Sequence, residues 1–194
     1  MSHRIIQVPA FDRGTYLHTG FSRATNEAYF LRWNDQESPN DQVRSFFAFD
    51  LAQIQIHDTE KITGVALSLF LPDGGYMTPN DRERVSIHVA PSELIDYILH
   101  GGQQPEILFA VLGAGEPVSD AFVFKSQEKS SVAFPINDRG RQLLAETLIA
   151  ADKRWVLGGR LRPWGPRAAN RRLFMLTLDA PTDAVRLDVE IESL

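Results

Sequence analysis

The chain has 194 residues, which at roughly 150 residues per domain suits one domain with long loops. Its 43% hydrophobic and 23% charged residues exclude a disordered or fibrous chain, and the absence of cysteine excludes disulfides, thiolate zinc sites and cysteine nucleophiles. A formal net charge of −5 gives no general attraction to nucleic acid, so nucleic acid is not expected as a partner. We expect residues 1–194 to form a single domain.

Strands are predicted along most of the chain, because short runs of alternating apolar and polar residues recur between Gly, Pro, Asn and Asp. In chain order the predicted strands cover residues 5–8, 28–33, 45–51, 62–71, 85–89, 107–112, 122–125, 131–136, 154–157, 172–178 and 185–191. Residues 45–51 and 62–71 are apolar on both faces, which is typical of central strands whose second face is covered. The alternation predicts that the core includes Phe47, Phe49, Leu67, Leu69, Leu187 and Val189.

Two helices are predicted between these strands. Residues 92–100 begin with the capping residue Ser92 and stop at the glycines that follow. Residues 138–150 follow a cap at Asn137 or Asp138 and place their leucines on one stripe. The predicted fold class is therefore all-β: an antiparallel β-sandwich, jelly-roll-like, with one or two short peripheral helices.

No segment is predicted to span a membrane, because the longest uncharged run, residues 62–72, is far shorter than the roughly 20 apolar residues required. The first residues also lack an apolar block of signal-peptide length. As the sequence stands, it predicts a cytoplasmic protein without a membrane partner. If a leader has been removed, the same sequence predicts an exported or cell-surface protein.

A family resemblance is carried by residues 44–91. A strand ending in Phe-Asp-Leu is followed by a strand of the "ATLRL" type and by a Gly-Gly-Tyr turn at residues 74–76. This region resembles the jelly-roll β-sandwich modules of bacterial surface proteins, and is most similar to uncharacterised domains of exported proteins with sorting tails. The resemblance implies a carbohydrate-binding-like module without catalytic residues, and it implies a structural calcium ion, for which Asp12 and Asp50 are candidate ligands. No other cofactor is implied.

His88 is the histidine singled out as a candidate ligand contact. It alternates with the apolar residues of the strand at residues 85–89, so we expect it to face outward beside Ser86. An outward histidine could bind a polar ligand, or it could be an ordinary solvated residue. No two histidines lie at a metal-ligand spacing, so the sequence identifies no local metal site.

The most unusual segment runs from residue 153 to residue 172, where basic residues and two tryptophans occur without an acidic residue. Arginine forks bind carboxylate or sulfate, and a tryptophan face stacks on a sugar ring. Candidate ligand-binding residues are therefore Trp164, Arg160 and Arg162, on a loop at residues 160–167. The alternative is that Trp155 fills the core, Trp164 packs under its own loop, and the arginines are solvated on a long loop or pair with the acidic final strand.

Taken together, these patterns predict a protein that is not an enzyme. The function we expect is a non-catalytic binding module, and the family resemblance implies that it recognises a glycan or polysaccharide. The alternative is a structural or protein-protein assembly module without a small ligand, and a homo-oligomer would fit that alternative.

Overall fold

The computed structural model describes residues 3–18, 31–33, 42–101, 104–162, 171–174 and 183–193. The strands are β1 (His3–Pro9), β2 (Asp12–Leu17), β3 (Leu31–Trp33), β4 (Val43–Asp50), β5 (Glu60–Leu71), β6 (Tyr76–Met77), β7 (Arg82–Val89), β8 (Ser119–Phe124), β9 (Ser130–Pro135), β10 (Arg154–Leu161), β11 (Arg171–Leu173) and β12 (Val185–Ser193). The helices are α1 (Ile95–His100), α2 (Pro105–Val111) and α3 (Asp138–Ile149).

The strands form two antiparallel sheets. The smaller sheet has the order β1-β12-β5-β9, and the larger has the order β6-β11-β3-β4-β10-β7-β8, with β2 also paired to β4. The sheets curl into a half-barrel. Strands make up 51% of the structure and helices 22%. The predicted all-β sandwich is thus confirmed. In the part of the chain that the structure describes, no helix is long and apolar enough to cross a membrane.

The main core lies between the two sheets. Because successive side chains of a strand point to opposite faces, each strand contributes alternate residues to this layer. The six residues predicted for the core are all fully buried there: Phe47, Phe49, Leu67, Leu69, Leu187 and Val189. Trp155 is buried in the same layer, as one of the two interpretations of the basic segment expected.

A second apolar layer covers part of the outer face of the large sheet. Phe46 and Ala48 of β4 pack there against side chains of α1 and α2, which explains why residues 45–51 read as apolar on both faces. The turn after α2 lies directly on the sheet at Gly158, where a Cβ atom would be 2.3 Å from the carbonyl oxygen of Leu112. A glycine is therefore needed at this position.

Both predicted helices are present with the expected ends. The Asn137 side chain accepts a hydrogen bond from the amide of Gly140 at the start of α3. Helix α1 follows a 3-10 turn at Ser92–Leu94 and ends at Gly101, whose φ of 73° favours glycine.

One predicted strand is wrong, and the described residues hold three helices where one or two were expected. Residues 107–112 were predicted as a strand but lie mostly in α2, which begins with Pro105. A short run of apolar residues fits a buried strand and a buried helix turn equally well. Strands β2 and β6 were not predicted, β10 runs beyond the predicted residue 157, and parts of the strands predicted at 28–33 and 172–178 lie outside the described residues.

One ion pair is completely buried at the edge of the core. Nη1 of Arg171 on β11 donates to Glu83 of β7 at 3.0 Å, and both side chains are almost fully inaccessible. Glu83 also accepts hydrogen bonds from the hydroxyl of Thr78 and the amide of Asn80. The carboxylate is therefore surrounded by donors, as a buried charge requires.

Candidate functional site

The outer face of the large sheet has an apolar half, covered by α1 and α2, and a polar half. On β7, β8 and β10 the residues between the polar ones, such as Val85, Val123 and Leu161, point into the core, so the polar residues point outward. The polar half carries Arg44 from β4, Arg82, Arg84, Ser86 and His88 from β7, Asp120, Phe122 and Phe124 from β8, Arg160 from β10, and Arg162, which directly follows β10.

Strand pairing arranges these side chains in rows. Arg160 of β10 lies opposite Ser86 of β7, and Ser86 lies opposite Asp120 of β8. Asp120 accepts two hydrogen bonds from Arg84, at 2.7 and 2.9 Å, and a third from Arg162 at 2.6 Å. Arg162, one of the predicted ligand-binding residues, is thus already paired with a carboxylate.

Arg44 is held at the end of α2. Its Nη1 donates to the carbonyl oxygens of Phe109 and Ala110, at 2.7 and 2.8 Å. These carbonyls belong to the last turn of the helix, and the carbonyl oxygen of Ala110 also accepts a hydrogen bond from the amide of Gly113 at 3.2 Å. The guanidinium also lies 4.1 Å from the centre of the Phe109 ring, which is a cation-π distance.

Arg160 lies beside Arg44, under the turn that follows α2. A Cβ atom on Gly113 would be 2.6 Å from Cδ of Arg160 and 3.0 Å from Cζ of Arg44. Burial, and then the neighbouring charge of Arg160, lower the pKa of Arg44 to about 10. Burial, and then the charge of Arg162, also lower the pKa of Arg160. The positively charged side chains of Arg44 and Arg160 therefore lie together where they are poorly hydrated.

Arg160 differs from Arg84 and Arg162 in its hydrogen bonds. Within the described residues, its buried Nε has no hydrogen-bond partner, and neither Arg160 nor Arg44 is bound to a carboxylate there. Arg84 and Arg162, by contrast, share the carboxylate of Asp120. The pair Arg44 and Arg160 is therefore a concentration of positive charge with no hydrogen-bonded carboxylate among the described residues, although the charge of Asp120 opposes the lowering of the Arg160 pKa.

The two arginines line a groove of about 420 Å³, which we call the arginine groove. Its lining residues are His18, Gln42, Arg44, Glu106, Phe109, Ala110, Gly113 and Arg160. The ring of His18 meets the Phe109 ring edge-on at 5.2 Å between ring centres. Its buried Nδ1 has no partner among the residues that the structure describes, so the groove contains a second unused polar atom.

His88 does not contact solvent as predicted, because only 2% of the residue is exposed. The alternation does place it on the outer face of the sheet, but the turn after α2 covers it. Its Nδ1 donates to the carbonyl of Ala114 at 2.9 Å, and its Nε2 accepts from the hydroxyl of Ser86 at 3.0 Å. Burial lowers the pKa of His88 to about 4. His88 is thus a neutral residue that holds the turn over Arg44 and Arg160.

The structure brings together Arg160 and Arg162, which the sequence selected, and adds Arg44, which it did not. Arg160 belongs to β10, not to the loop predicted at residues 160–167. Trp164 lies outside the described residues. Arg44 directly precedes the strand predicted at residues 45–51 and was not selected as a candidate residue. The pairing of β4 with β10 places it next to Arg160.

Both candidate calcium ligands accept hydrogen bonds from backbone amides. Asp12 accepts a hydrogen bond from the amide of Arg13, and Asp50 accepts one from the amide of Ala52. The described ranges contain no cluster of three or more His, Asp or Glu side chains that could hold a metal ion. The structural calcium ion stays a prediction.

Comparisons with known proteins assign no family to the chain. No protein-family model matches it, and neither does any curated protein. The resemblance to jelly-roll surface modules therefore stays a prediction, and the function has to be argued from the arginine groove.

Proposed function

We propose that this protein is a non-catalytic binding module, and that its arginine groove binds an anionic group, a carboxylate or a sulfate, of a glycan. The observation that carries the proposal is the pair of adjacent arginine side chains, Arg44 and Arg160, with no hydrogen-bonded carboxylate among the described residues and an unpartnered Nε on Arg160. An anion between them would supply the missing partner.

The energetics support this proposal. Removing a guanidinium from water costs several kcal/mol unless an anion and hydrogen bonds replace the lost hydration. A second cation alongside adds repulsion, which is why Arg160 lowers the pKa of Arg44. A sequence that keeps such a conflict usually does so at a functional site.

The ligand chemistry follows from the donors. Guanidinium groups form paired, charge-assisted hydrogen bonds with the oxygens of carboxylates and sulfates. A glycan is preferred as the carrier of the anion because the sequence resembles carbohydrate-binding-like modules, and because Trp164, with a face suited to a sugar ring, follows Arg162 closely in the chain. Binding is expected to weaken as salt increases.

The test compares Arg160→Met with the native protein, using free sulfate and a glycan array. Sulfate should raise the melting temperature of the native protein. At a sulfate concentration of one hundred times Kd, binding stabilises the folded state by about 2.7 kcal/mol. The variant should lose this effect and its binding to uronic-acid or sulfated glycans. Arg141→Met on α3, which removes an arginine outside the groove, is the matched control and should behave as the native protein. Equal responses of all three proteins would disprove the proposal.

An assembly module is the second candidate, favoured by a separate observation. Ile149 at the end of α3 is 88% exposed and lines a groove with Ile56 and Leu148. Large apolar side chains exposed to this degree are found at contact surfaces. If this candidate is correct, the native protein is an oligomer in solution, and the variant Ile149→Lys has the mass of a single chain. A monomeric native protein would exclude self-assembly.

A further inference from the structure

The outer face of β8 exposes two phenylalanines on the same sheet face as the arginine groove. Phe122 is 36% exposed and Phe124 is 42% exposed, while Val123 between them is buried in the core. Strand alternation therefore places both rings on the face that also carries Arg160 and Arg162. Two neighbouring aromatic rings at a surface offer flat apolar contact area.

Arginines surround these rings. The guanidinium of Arg82 lies 4.7 Å from the centre of the Phe122 ring. Arg84 and Arg162 share the carboxylate of Asp120, so these three side chains together have a net charge of +1. The face is therefore positive in a protein whose net charge is −5. We call the surface formed by Arg82, Arg84, Phe122, Phe124, Arg162 and Asp120 the arginine-phenylalanine face.

The strand register gives the length of this surface. Arg160, Ser86 and Asp120 form one row, Arg84 and Phe122 form the next, and Arg82 and Phe124 form the one after it. Arg160 and Phe124 are separated by two strand spacings of about 4.8 Å across the sheet and by four residue steps of about 3.3 Å along the strands. The diagonal distance between the two positions is therefore about 16 Å. A single anion or a single sugar cannot touch both ends.

We infer that the anion bound by Arg44 and Arg160 belongs to an extended acidic oligosaccharide that lies across β10, β7 and β8, with sugar rings on Phe122 and Phe124. The inference rests on the proposed function and names its substrate class. Sugar rings present apolar C–H faces to aromatic rings, and their acidic groups pair with guanidinium groups. The separation of the groove from the rings requires several linked sugars.

The experiment measures affinity against ligand length. Uronic-acid and sulfated oligosaccharides of one, four and six sugars are titrated into the native protein, Phe124→Ser, Phe122→Ser and Arg160→Met. The native protein should bind the longer ligands at least about tenfold more tightly than the single sugar, a difference that one favourable aromatic contact supplies. The two phenylalanine variants should lose this gain but keep their stabilisation by free sulfate. Arg160→Met should lose both.

A matched control separates this effect from a general loss of exposed apolar surface. Phe11, 46% exposed on the connection between β1 and β2, is changed to Ser, and the length dependence should persist. Equal affinity for one and six sugars, or an unchanged gain in Phe124→Ser, would overturn the inference while leaving the proposed function in place if sulfate still binds. If neither sulfate nor the single sugar binds, the proposed function fails as well.

Two other occupants are distinguished by the same proteins. Tighter binding of a single-stranded oligonucleotide than of the six-sugar ligand would overturn the inference in favour of nucleic acid, against which the net charge of the chain argues. A native dimer that Phe124→Ser converts to monomers would show that a second copy covers the arginine-phenylalanine face, and would also overturn it.

Discussion

The side chains of Arg44 and Arg160 lie side by side under Gly113, and they are not equivalent. Arg44 donates to two carbonyl oxygens of α2, so it joins the helix to the sheet. Among the described residues, Arg160 gives no hydrogen bond from its buried Nε and lowers the pKa of its neighbour. One arginine therefore supports the fold, whereas the other adds repulsion that a bound anion would relieve.

This difference predicts opposite effects on stability. Arg160→Met should leave the free energy of unfolding unchanged or raise it by up to about 1 kcal/mol, because it removes a half-buried cation that lies beside Arg44 and whose buried Nε has no partner among the described residues. Arg44→Met should lower it by about 2 to 3 kcal/mol, because the helix carbonyls lose charged donors. Denaturant unfolding without added anions measures both. A loss in Arg160→Met as large as that in Arg44→Met would show that Arg160 is structural.

Gly113 gives a second way to disturb the groove without removing a charge. A Cβ atom there would lie 2.6 Å from Cδ of Arg160, so Gly113→Ala should displace this side chain. We expect the stabilisation by sulfate to fall while the fold is retained, since a flexible side chain can move. The matched comparison is Gly113→Ala in the Arg160→Met background, where the added methyl group should have no further effect on sulfate binding. Independent, additive effects would contradict the arrangement.

The sequence predicted the core well because alternation is a local signal. Phe47 and Leu187 were assigned to the interior from the period of their own strands, and both are fully buried. Residues 107–112 were assigned wrongly because a short apolar run carries no period of its own, and Pro105, which starts the helix, lies outside it. The local sequence pattern therefore predicts which face of a strand a residue occupies. It does not distinguish a short buried strand from a short buried helix.

The site was less predictable because it depends on pairing between distant segments. Alternation placed His88 on the correct face but could not show that the turn after α2 covers that face. Arg44 joins Arg160 only through the register of β4 and β10, which no local pattern specifies. The cationic composition of residues 153–172 did point to Arg160 and Arg162, because charge without acids is visible in the sequence itself.

The buried ion pair should dominate the stability of its edge of the sheet. Glu83→Gln keeps the shape of the side chain but leaves the buried Arg171 without this carboxylate. We expect a loss of about 3 to 5 kcal/mol in the free energy of unfolding, because removing one partner of a buried ion pair is strongly destabilising. The control is Asp73→Asn, which breaks the exposed pair with Lys129 and should cost less than about 1 kcal/mol. Similar losses in both variants, measured by denaturant unfolding, would contradict the prediction.

His88 should make the protein sensitive to acid. Burial, opposed by its hydrogen bond to Ala114 and reinforced by the charges of Arg160, Arg44 and Arg162, lowers the pKa of His88 from 6.5 to about 4. Because the folded pKa lies below the unfolded one, the unfolded chain binds more protons between these values. The neutral ring therefore favours the folded state fully above pH 6.5, and this contribution is lost as the pH falls toward 4. A difference of about 2.5 pKa units sets its upper limit at about 3 kcal/mol.

The matching variant is His88→Gln, whose amide can donate to the same carbonyl but does not titrate in this range. Denaturant unfolding of both proteins at pH 7 and pH 4.5 separates His88 from the carboxylates, because the carboxylates titrate equally in both. The native protein should lose more stability than the variant, by about 2 to 3 kcal/mol. Parallel losses would show that His88 is accessible to protons in the folded state, and that the turn over Arg44 and Arg160 does not depend on a neutral ring.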